Sequence, residues 1–437
     1  MPLRRTLLLL SGLAVAALDL LAADFAIRDG DRVVFLGDSI TEQRLYTTYI
    51  EAYALTRHPD WKLSFRNVGW GGDTAWLRQR AHPDEGRLFA AEGDALDGMV
   101  TNSVSKGLGR DVLPHKPTFV TVKFGMNDHS YQKFRPDIFR AYVRSQTEIS
   151  RELRAAGARV AFLTPQPIEE RRADPDQDDR NQSLRKFSDG IKDVAAQTGA
   201  AYVDQFQPFM DLMLAARAKD PKAFIGGGDA VHPGPSGQLL MAWAVLKGLG
   251  ATAPVSSATV DAAASKASSE GCTVSNLKVS ADGVSFDRLD AALPFPVDDR
   301  AVPALGLAPV LNDLSRYTLT VTGLAEGDYE VSVDGETTLK TTAKALAAGV
   351  DLTRDAGAVT RQAQDVLKGV FRKNDVYFER WRGVQLHNFP GWAKGPEVET
   401  KREAELKRLD AEVANLEQRI DAGRKPRSHG FAVRKSK

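Results

Sequence analysis

Ser39 lies in the stretch Val34-Phe35-Leu36-Gly37-Asp38-Ser39-Ile40-Thr41, and its hydroxyl becomes a competent nucleophile only when a base removes its proton. His232, in Asp229-Ala230-Val231-His232-Pro233, is a residue type suited to that task. Asp229 stands three residues earlier, a spacing that one turn bridges, so its carboxylate can hold the second ring nitrogen and fix the tautomer. Pro233-Gly234-Pro235 then stiffens the chain behind the histidine. Attack on an ester carbonyl also needs donors for the oxyanion that forms. Two further stretches carry them: Asn67-Val68-Gly69-Trp70-Gly71-Gly72-Asp73-Thr74 and Gly125-Met126-Asn127-Asp128. A glycine of the first brings a backbone N–H close to substrate, Asn127 offers its amide, and the N–H of Ser39 is a natural third donor. Each stretch alone is ordinary turn chemistry; together they hold the parts of an acyl-transfer site.

In the order Ser, Gly, Asn, His these four blocks resemble the SGNH/GDSL hydrolase family, over roughly residues 28–250. The resemblance implies a three-layer α/β fold of the SGNH/flavodoxin-like kind, a parallel sheet between two layers of helices. It implies a Ser39-Asp229-His232 triad and an oxyanion hole of Ser39, Gly72 and Asn127. Gly72 is preferred over Gly69 and Gly71 because Asp73-Thr74 follows it, as in the family's second block. Ester hydrolysis through an acyl-enzyme, with no cofactor, follows from the same resemblance, and no His- or Cys-rich cluster has the spacing of a metal site. Asp38 and Asp128 read as residues that hold their loops through backbone hydrogen bonds. Gly-Asp-Ser-Ile-Thr lacks the Gly-x-Ser-x-Gly frame of the α/β-hydrolase elbow.

The elements that must position these residues follow from hydropathy patterning. Short apolar runs at Val33–Leu36, Leu63–Asn67, Phe119–Phe124, Val160–Leu163 and Ala201–Val203 read as buried strands. Longer amphipathic stretches at Thr41–Leu55, Ile138–Ala156, Ser183–Thr198 and Gly237–Lys247 read as helices, with Gly157 and Gly199 at C-cap positions. Strand and helix in alternation predict a parallel sheet, at whose carboxyl edge Ser39 would lie.

The chain of 437 residues is long enough for more than one core, and a net charge of +1 gives no global reason to expect nucleic acid as partner. Its single cysteine, Cys272, rules out an internal disulfide. Arg4 and Arg5 followed by the apolar run Leu7–Leu21 read as a signal peptide over residues 1–23, cleaved near Ala23, and hence a periplasmic or secreted protein without a stable membrane anchor. The hydrolase domain is expected over 24–250 and an Ala/Ser-rich linker over 251–270. Residues 271–437 read as a β-hairpin-rich segment, with strands at Cys272–Ser280, Tyr317–Thr322 and Tyr329–Val333. Helices follow at Thr341–Ala348, Ala358–Arg372 and Glu403–Ile420, and a basic tail, Arg424–Lys437, is expected to fray. On the last helix Leu406, Leu409, Val413, Leu416 and Ile420 form one apolar seam, which packs on its own domain or meets an oligomer partner.

By the same resemblance, a secreted chain with an added β-rich segment points to a carbohydrate deacetylase, with Trp70, Trp76 and Tyr131 as aromatic residues available to stack on sugar rings. The alternatives are a lipase or lysophospholipase acting on acyl chains, and a glycan-binding protein that retains the esterase fold.

Overall fold

The computed structural model describes residues 25–171 and 174–436; the expected signal peptide, residues 1–23, lies outside the described residues. Five parallel strands form the first sheet: β1 (Arg32–Gly37), β2 (Ser64–Asn67), β3 (Phe119–Lys123), β4 (Arg159–Leu163) and β5 (Ala201–Val203), in the order β2-β1-β3-β4-β5. The strands are apolar without a break because both faces are covered. Val33, Phe35, Phe119, Ala161 and Leu163 point to one face, against Tyr46, Tyr49 and Tyr53 of the helix Leu45–Arg57 and Leu239 and Val245 of the helix Pro235–Gly248. Val34, Leu36, Val120, Val122 and Phe162 point to the other, against helices Gly93–Asp111, Pro136–Ala155 and Asp179–Thr198. The three-layer reading holds, and Gly199 ends its helix with φ +67° as a left-handed C-cap.

The helix expected over Thr41–Leu55 is two helices, Ser39–Glu42 and Leu45–Arg57, separated at Arg44, whose φ is +61°. Helix Leu45–Arg57 is buried nearly all round rather than along one stripe. A second layer explains this, because the helix Ala358–Phe378 lies over its outer side. There Lys373 Nζ reaches Glu51 Oε1 at 2.6 Å and Asn374 Nδ2 reaches Thr48 Oγ1 at 2.9 Å, all four residues buried.

The expected linker over 251–270 is not one. Pro254–Asp261 is strand β6 and Lys266–Glu270 is strand β7. With β10 (Arg316–Thr322) and β13 (Val350–Asp351) they make a four-stranded sheet in the order β13-β10-β6-β7. Alternating burial at Ala258 and Val260 marks the inward side of β6; the small residues that suggested a flexible tether are the ones that let a sheet pack closely. A third sheet holds β8 (Cys272–Ser280), β9 (Gly283–Asp290), β11 (Asp328–Val333), β12 (Glu336–Thr342) and β14 (Ser428–Lys435), in the order β12-β11-β14-β9-β8. The second and third sheets share one core containing Val260, Phe286, Leu319, Val331 and Phe431, so the β-rich part is a sandwich. The turn Asp334-Gly335 joins β11 to β12 with both residues at positive φ, as a two-residue hairpin loop requires.

The basic tail does not fray. Residues 428–435 form β14, the central strand of the third sheet, where Phe431 and Val433 point inward and are fully buried. The expected seam falls on the helix Pro396–Gly423, where Leu409, Val413 and Ile420 are buried within the chain and Leu406 and Leu416 are half-buried. Among the described residues no helix is long and apolar enough to cross a membrane.

Candidate active site

Ser39 stands at the carboxyl end of β1, as the first residue of the short helix Ser39–Glu42. Asp38 caps that helix, its Oδ1 accepting the Ile40 N–H at 3.0 Å. Any side chain at Gly37 would collide with Thr41 and with the Lys123 carbonyl, so glycine lets the turn fold tightly against β3. Beneath it Lys123, fully buried, lies 3.9 Å from Asp38 Oδ1, and burial pushes its ammonium below the usual lysine range.

The second block wraps around the start of this helix. Asn67 Nδ2 donates to Thr41 O at 2.7 Å and to Thr47 Oγ1 at 2.9 Å, while its Oδ1 accepts the Gly69 N–H at 2.9 Å. Trp70 N–H donates to Gly37 O at 3.0 Å, Gly71 N–H to Glu42 Oε2 at 2.8 Å, and Asp73 N–H to Trp70 O at 3.0 Å. Gly72 has φ +74°, and its N–H meets no acceptor among the described residues. The loop therefore consumes the amides of Gly69 and Gly71 and leaves that of Gly72 unbonded among the described residues.

Asn127, almost buried, is held by both ends of its amide. Nδ2 donates to Asp73 O at 2.9 Å and Oδ1 accepts from the Tyr131 hydroxyl at 3.1 Å. One Nδ2 hydrogen remains to be given. Ser130 and Tyr131 both sit in the left-handed region, φ +54° and +56°, the strained backbone that functional loops tend to keep. Asp128 accepts the Ala75 N–H at 2.7 Å and the Gly125 N–H at 2.8 Å, tying the second block to the third. Burial pushes its carboxyl up to about 7. The loop-holding roles read for Asp38 and Asp128 match these contacts.

His232 and Asp229 arrive on the loop before the helix Pro235–Gly248. His232 Nε2 lies 2.8 Å from Ser39 Oγ, and its Nδ1 lies 3.1 Å from Asp229 Oδ2. Asp229 is itself fixed by the N–H groups of Val231 and His232 at 2.8 and 2.7 Å. Desolvation pushes its carboxyl up, but the bonds from His232 and Val231 together outweigh this and hold it below the usual range. With Asp229 accepting from Nδ1, the imidazole turns the lone pair of Nε2 toward the serine, within reach for proton transfer. Ser39, Asp229, His232, Gly72 and Asn127 thus meet in one place. The N–H of Gly72 and one hydrogen of the Asn127 amide are left without acceptors among the described residues.

Of the three aromatic residues expected near the cleft, Trp76 is buried and donates to Glu85 Oε1 at 2.7 Å, which removes it from any sugar. The Trp70 ring is covered by the Arg382 guanidinium, 3.8 Å from its centroid. Tyr131 alone is exposed, at 42%, beside Asn127. The part of Tyr131 in orienting Asn127 and the approach of Arg382 were missed from sequence. The first has a readable signal in its spacing four residues after Asn127; the second has none.

Residues 35–240 match the GDSL-like lipase/acylhydrolase family. Curated proteins give no match to the chain. Among solved structures, a gut microbial diltiazem-metabolizing enzyme is similar with 22% identity and a TM-score of 0.77, over 94% of this chain and 98% of its own. An acetylxylan esterase from Geobacillus stearothermophilus is 21% identical with a TM-score of 0.39, over 52% of this chain and 96% of its own. The first likeness extends the shared fold through the sandwich and the C-terminal helices.

Proposed function

Residues 35–240 belong to the GDSL-like lipase/acylhydrolase family and make the chain a serine ester hydrolase; from that premise we propose that Ser39, His232 and Asp229 are its triad, that the protein is exported, and that an O-acetylated carbohydrate is its substrate. The contact of 2.8 Å between Ser39 Oγ and His232 Nε2 carries the first part. Ser39 attacks the ester carbonyl while Nε2 takes its proton. The oxyanion is held by the N–H groups of Ser39 and Gly72 and by the Asn127 amide. Collapse expels the alcohol, which leaves with the proton from His232. Water, deprotonated by the same nitrogen, then releases the acid.

Exposure supports the second part. The Asp229 and His232 side chains are 66% and 36% accessible, and Arg78, Gln79 and Glu42 surround the Gly71-Gly72 turn with polar groups. A long acyl chain needs an apolar groove to bury it, whereas an acetyl group on a hydrated polymer does not. Tyr131 offers the one open ring at the site. Export rests on Arg4, Arg5 and the run Leu7–Leu21. A glycan-binding role for the β-rich part has its own support in the groove of about 810 Å³ on the outer face of the third sheet, lined by Ser285, Asp287, Ser332, Asp334 and Arg434.

The test is acetate release from acetylated oligosaccharides, set beside hydrolysis of short and long acyl esters, with Ser39→Ala as control. The folded Ser39→Ala protein should be inert, and one acetylated glycan class should be the best substrate. Faster turnover of long acyl esters would overturn the carbohydrate reading, and a fully active Ser39→Ala protein would overturn the triad.

A further inference from the structure

The Gly69-Gly72 turn is braced from within by Gly37 and Asn67, but its outer side is held by a residue far along the chain. Helix Ala358–Phe378 widens at its end into a π-helical turn, Glu379–Gln385. Such turns are rare, re-aim the side chains they carry, and recur at functional sites. Here the turn brings Arg382 to the second block. Arg382 Nε lies 3.3 Å from Glu42 Oε1, and the other oxygen of that carboxylate, Oε2, accepts the Gly71 N–H at 2.8 Å. The same guanidinium lies flat enough on Trp70 to come within 3.8 Å of its ring centroid, and Trp381 meets Trp70 edge to face at 5.9 Å.

Glu42 belongs to the helix that begins at Ser39, so the carboxylate bridges the nucleophile's helix and the Trp70-Gly71 peptide, one before that of the Gly72 N–H. Its side chain is 22% accessible, and without a counter-charge a partly hydrated carboxylate has several rotamers to choose from. A planar cation paired with one of its oxygens and itself stacked on an indole narrows that choice. Releasing Glu42 would free the Gly71 N–H and let the next peptide, which carries the Gly72 N–H at φ +74°, rotate.

We infer that Arg382 is a positioning residue for ester hydrolysis: through Glu42 and Trp70 it locks the turn that presents the Gly72 N–H, which makes the C-terminal helices part of the active site. This rests on the reading of Gly72 as an oxyanion donor. Arg382 touches neither substrate nor the reacting atoms.

The experiment is steady-state kinetics of the full chain on a short acetyl ester. Arg382→Met should lower kcat about tenfold to a hundredfold, less than loss of a direct oxyanion donor, with KM within about twofold. Arg382→Lys should recover part of kcat, and added guanidinium ion should recover part of it in Arg382→Met alone. The Glu42→Gln, Arg382→Met double variant should be no slower than Glu42→Gln, because both break one relay. Arg380→Met removes the neighbouring pair with Asp410, 2.7 Å, on the same turn and should leave kcat unchanged. Wild-type kcat in Arg382→Met, a change in KM alone, additive losses in the double variant, or an equal loss in Arg380→Met would each overturn the inference. If Arg382→Met does not fold, Glu42→Gln breaks the contact from its other end, and wild-type kcat there is equally fatal. Failure of the oxyanion reading itself shows differently, as full activity in Gly72→Pro, which has no N–H to give.

Discussion

Replacing Lys373 by Met removes the cation that pairs with Glu51 between the hydrolase layer and the C-terminal helices. The two side chains are 1% and 4% accessible, Nζ is 2.6 Å from Oε1, and Asn374 Nδ2 reaches Oε2 at 3.1 Å. Burial pushes the Glu51 carboxyl up and the Lys373 ammonium down, and each charge opposes that push on the other. Without Lys373 the carboxylate has two options. It stays charged with only an amide as donor, at about 3–5 kcal/mol, or it takes a proton. For a carboxyl of ordinary pKa, protonation costs about 3.7 kcal/mol at pH 7 and about 1.6 kcal/mol at pH 5.5. Lys373→Met should therefore destabilise the protein by about 3–4 kcal/mol at pH 7 and by about 2 kcal/mol less at pH 5.5. The sign follows from proton counting. In the variant the folded state carries a proton on Glu51 that the unfolded chain has lost, so acid favours folding relative to the wild type. Urea unfolding at both pH values, followed by tryptophan fluorescence and circular dichroism, measures the difference. Adding Glu51→Gln should recover most of the loss. A loss below about 1 kcal/mol at pH 7, or an equal loss at both pH values, would refute the argument.

Asn127→Ala should lower kcat about a hundredfold to a thousandfold on a short acetyl ester. Tyr131→Phe, which leaves Asn127 Oδ1 without its donor, should cost about tenfold in kcat with little change in KM; a wild-type rate would mean that Asp73 orients the amide alone. Burial holds His58, His115 and His129 down at about 4, whereas in the unfolded chain each titrates at about 6.5. Between those values the unfolded state binds protons that the folded state refuses, so stability is lost as pH falls from about 6.5 to about 4. Asp128, raised by burial to about 7, works in the opposite direction over the same window. His129 is 2% accessible and contributes up to about 3 kcal/mol of the loss; a thermal midpoint that is flat with pH would contradict this.

Much of the hydrolase layer was legible because strands covered on both faces are unbroken apolar runs, and Val33–Leu36 or Phe119–Phe124 cannot be read as much else. Ser39 and His232 were legible as types in context, since Gly37 and the Pro233-Gly234-Pro235 stretch betray rigid turns. The choice of Gly72 was not physically decidable from sequence: it depends on which amides the loop consumes, and Glu42 takes that of Gly71 only in three dimensions. Ala258 and the neighbouring serines hid β6 because small residues suit both tethers and close-packed sheets. Arg434 and Lys435 masked the Phe431 and Val433 alternation of β14 for a similar reason: charge on the outward side looks like a solvated tail. Arg382 carried no local signal, because its partners are set by a contact between distant parts of the chain.

The placement of β14 between β11 and β9 sets an order on the birth of the molecule. The hairpins β8–β9 and β11–β12 are made from neighbouring residues and can close early, yet they share no ladder until the stretch 428–435 slots between them. During synthesis each hairpin thus holds one unsatisfied edge open, a template for wrong partners. The keystone arrives only after the long helix Pro396–Gly423 has been made, so a nascent chain stopped short of it would keep a finished hydrolase sheet beside a half-built sandwich with two sticky borders.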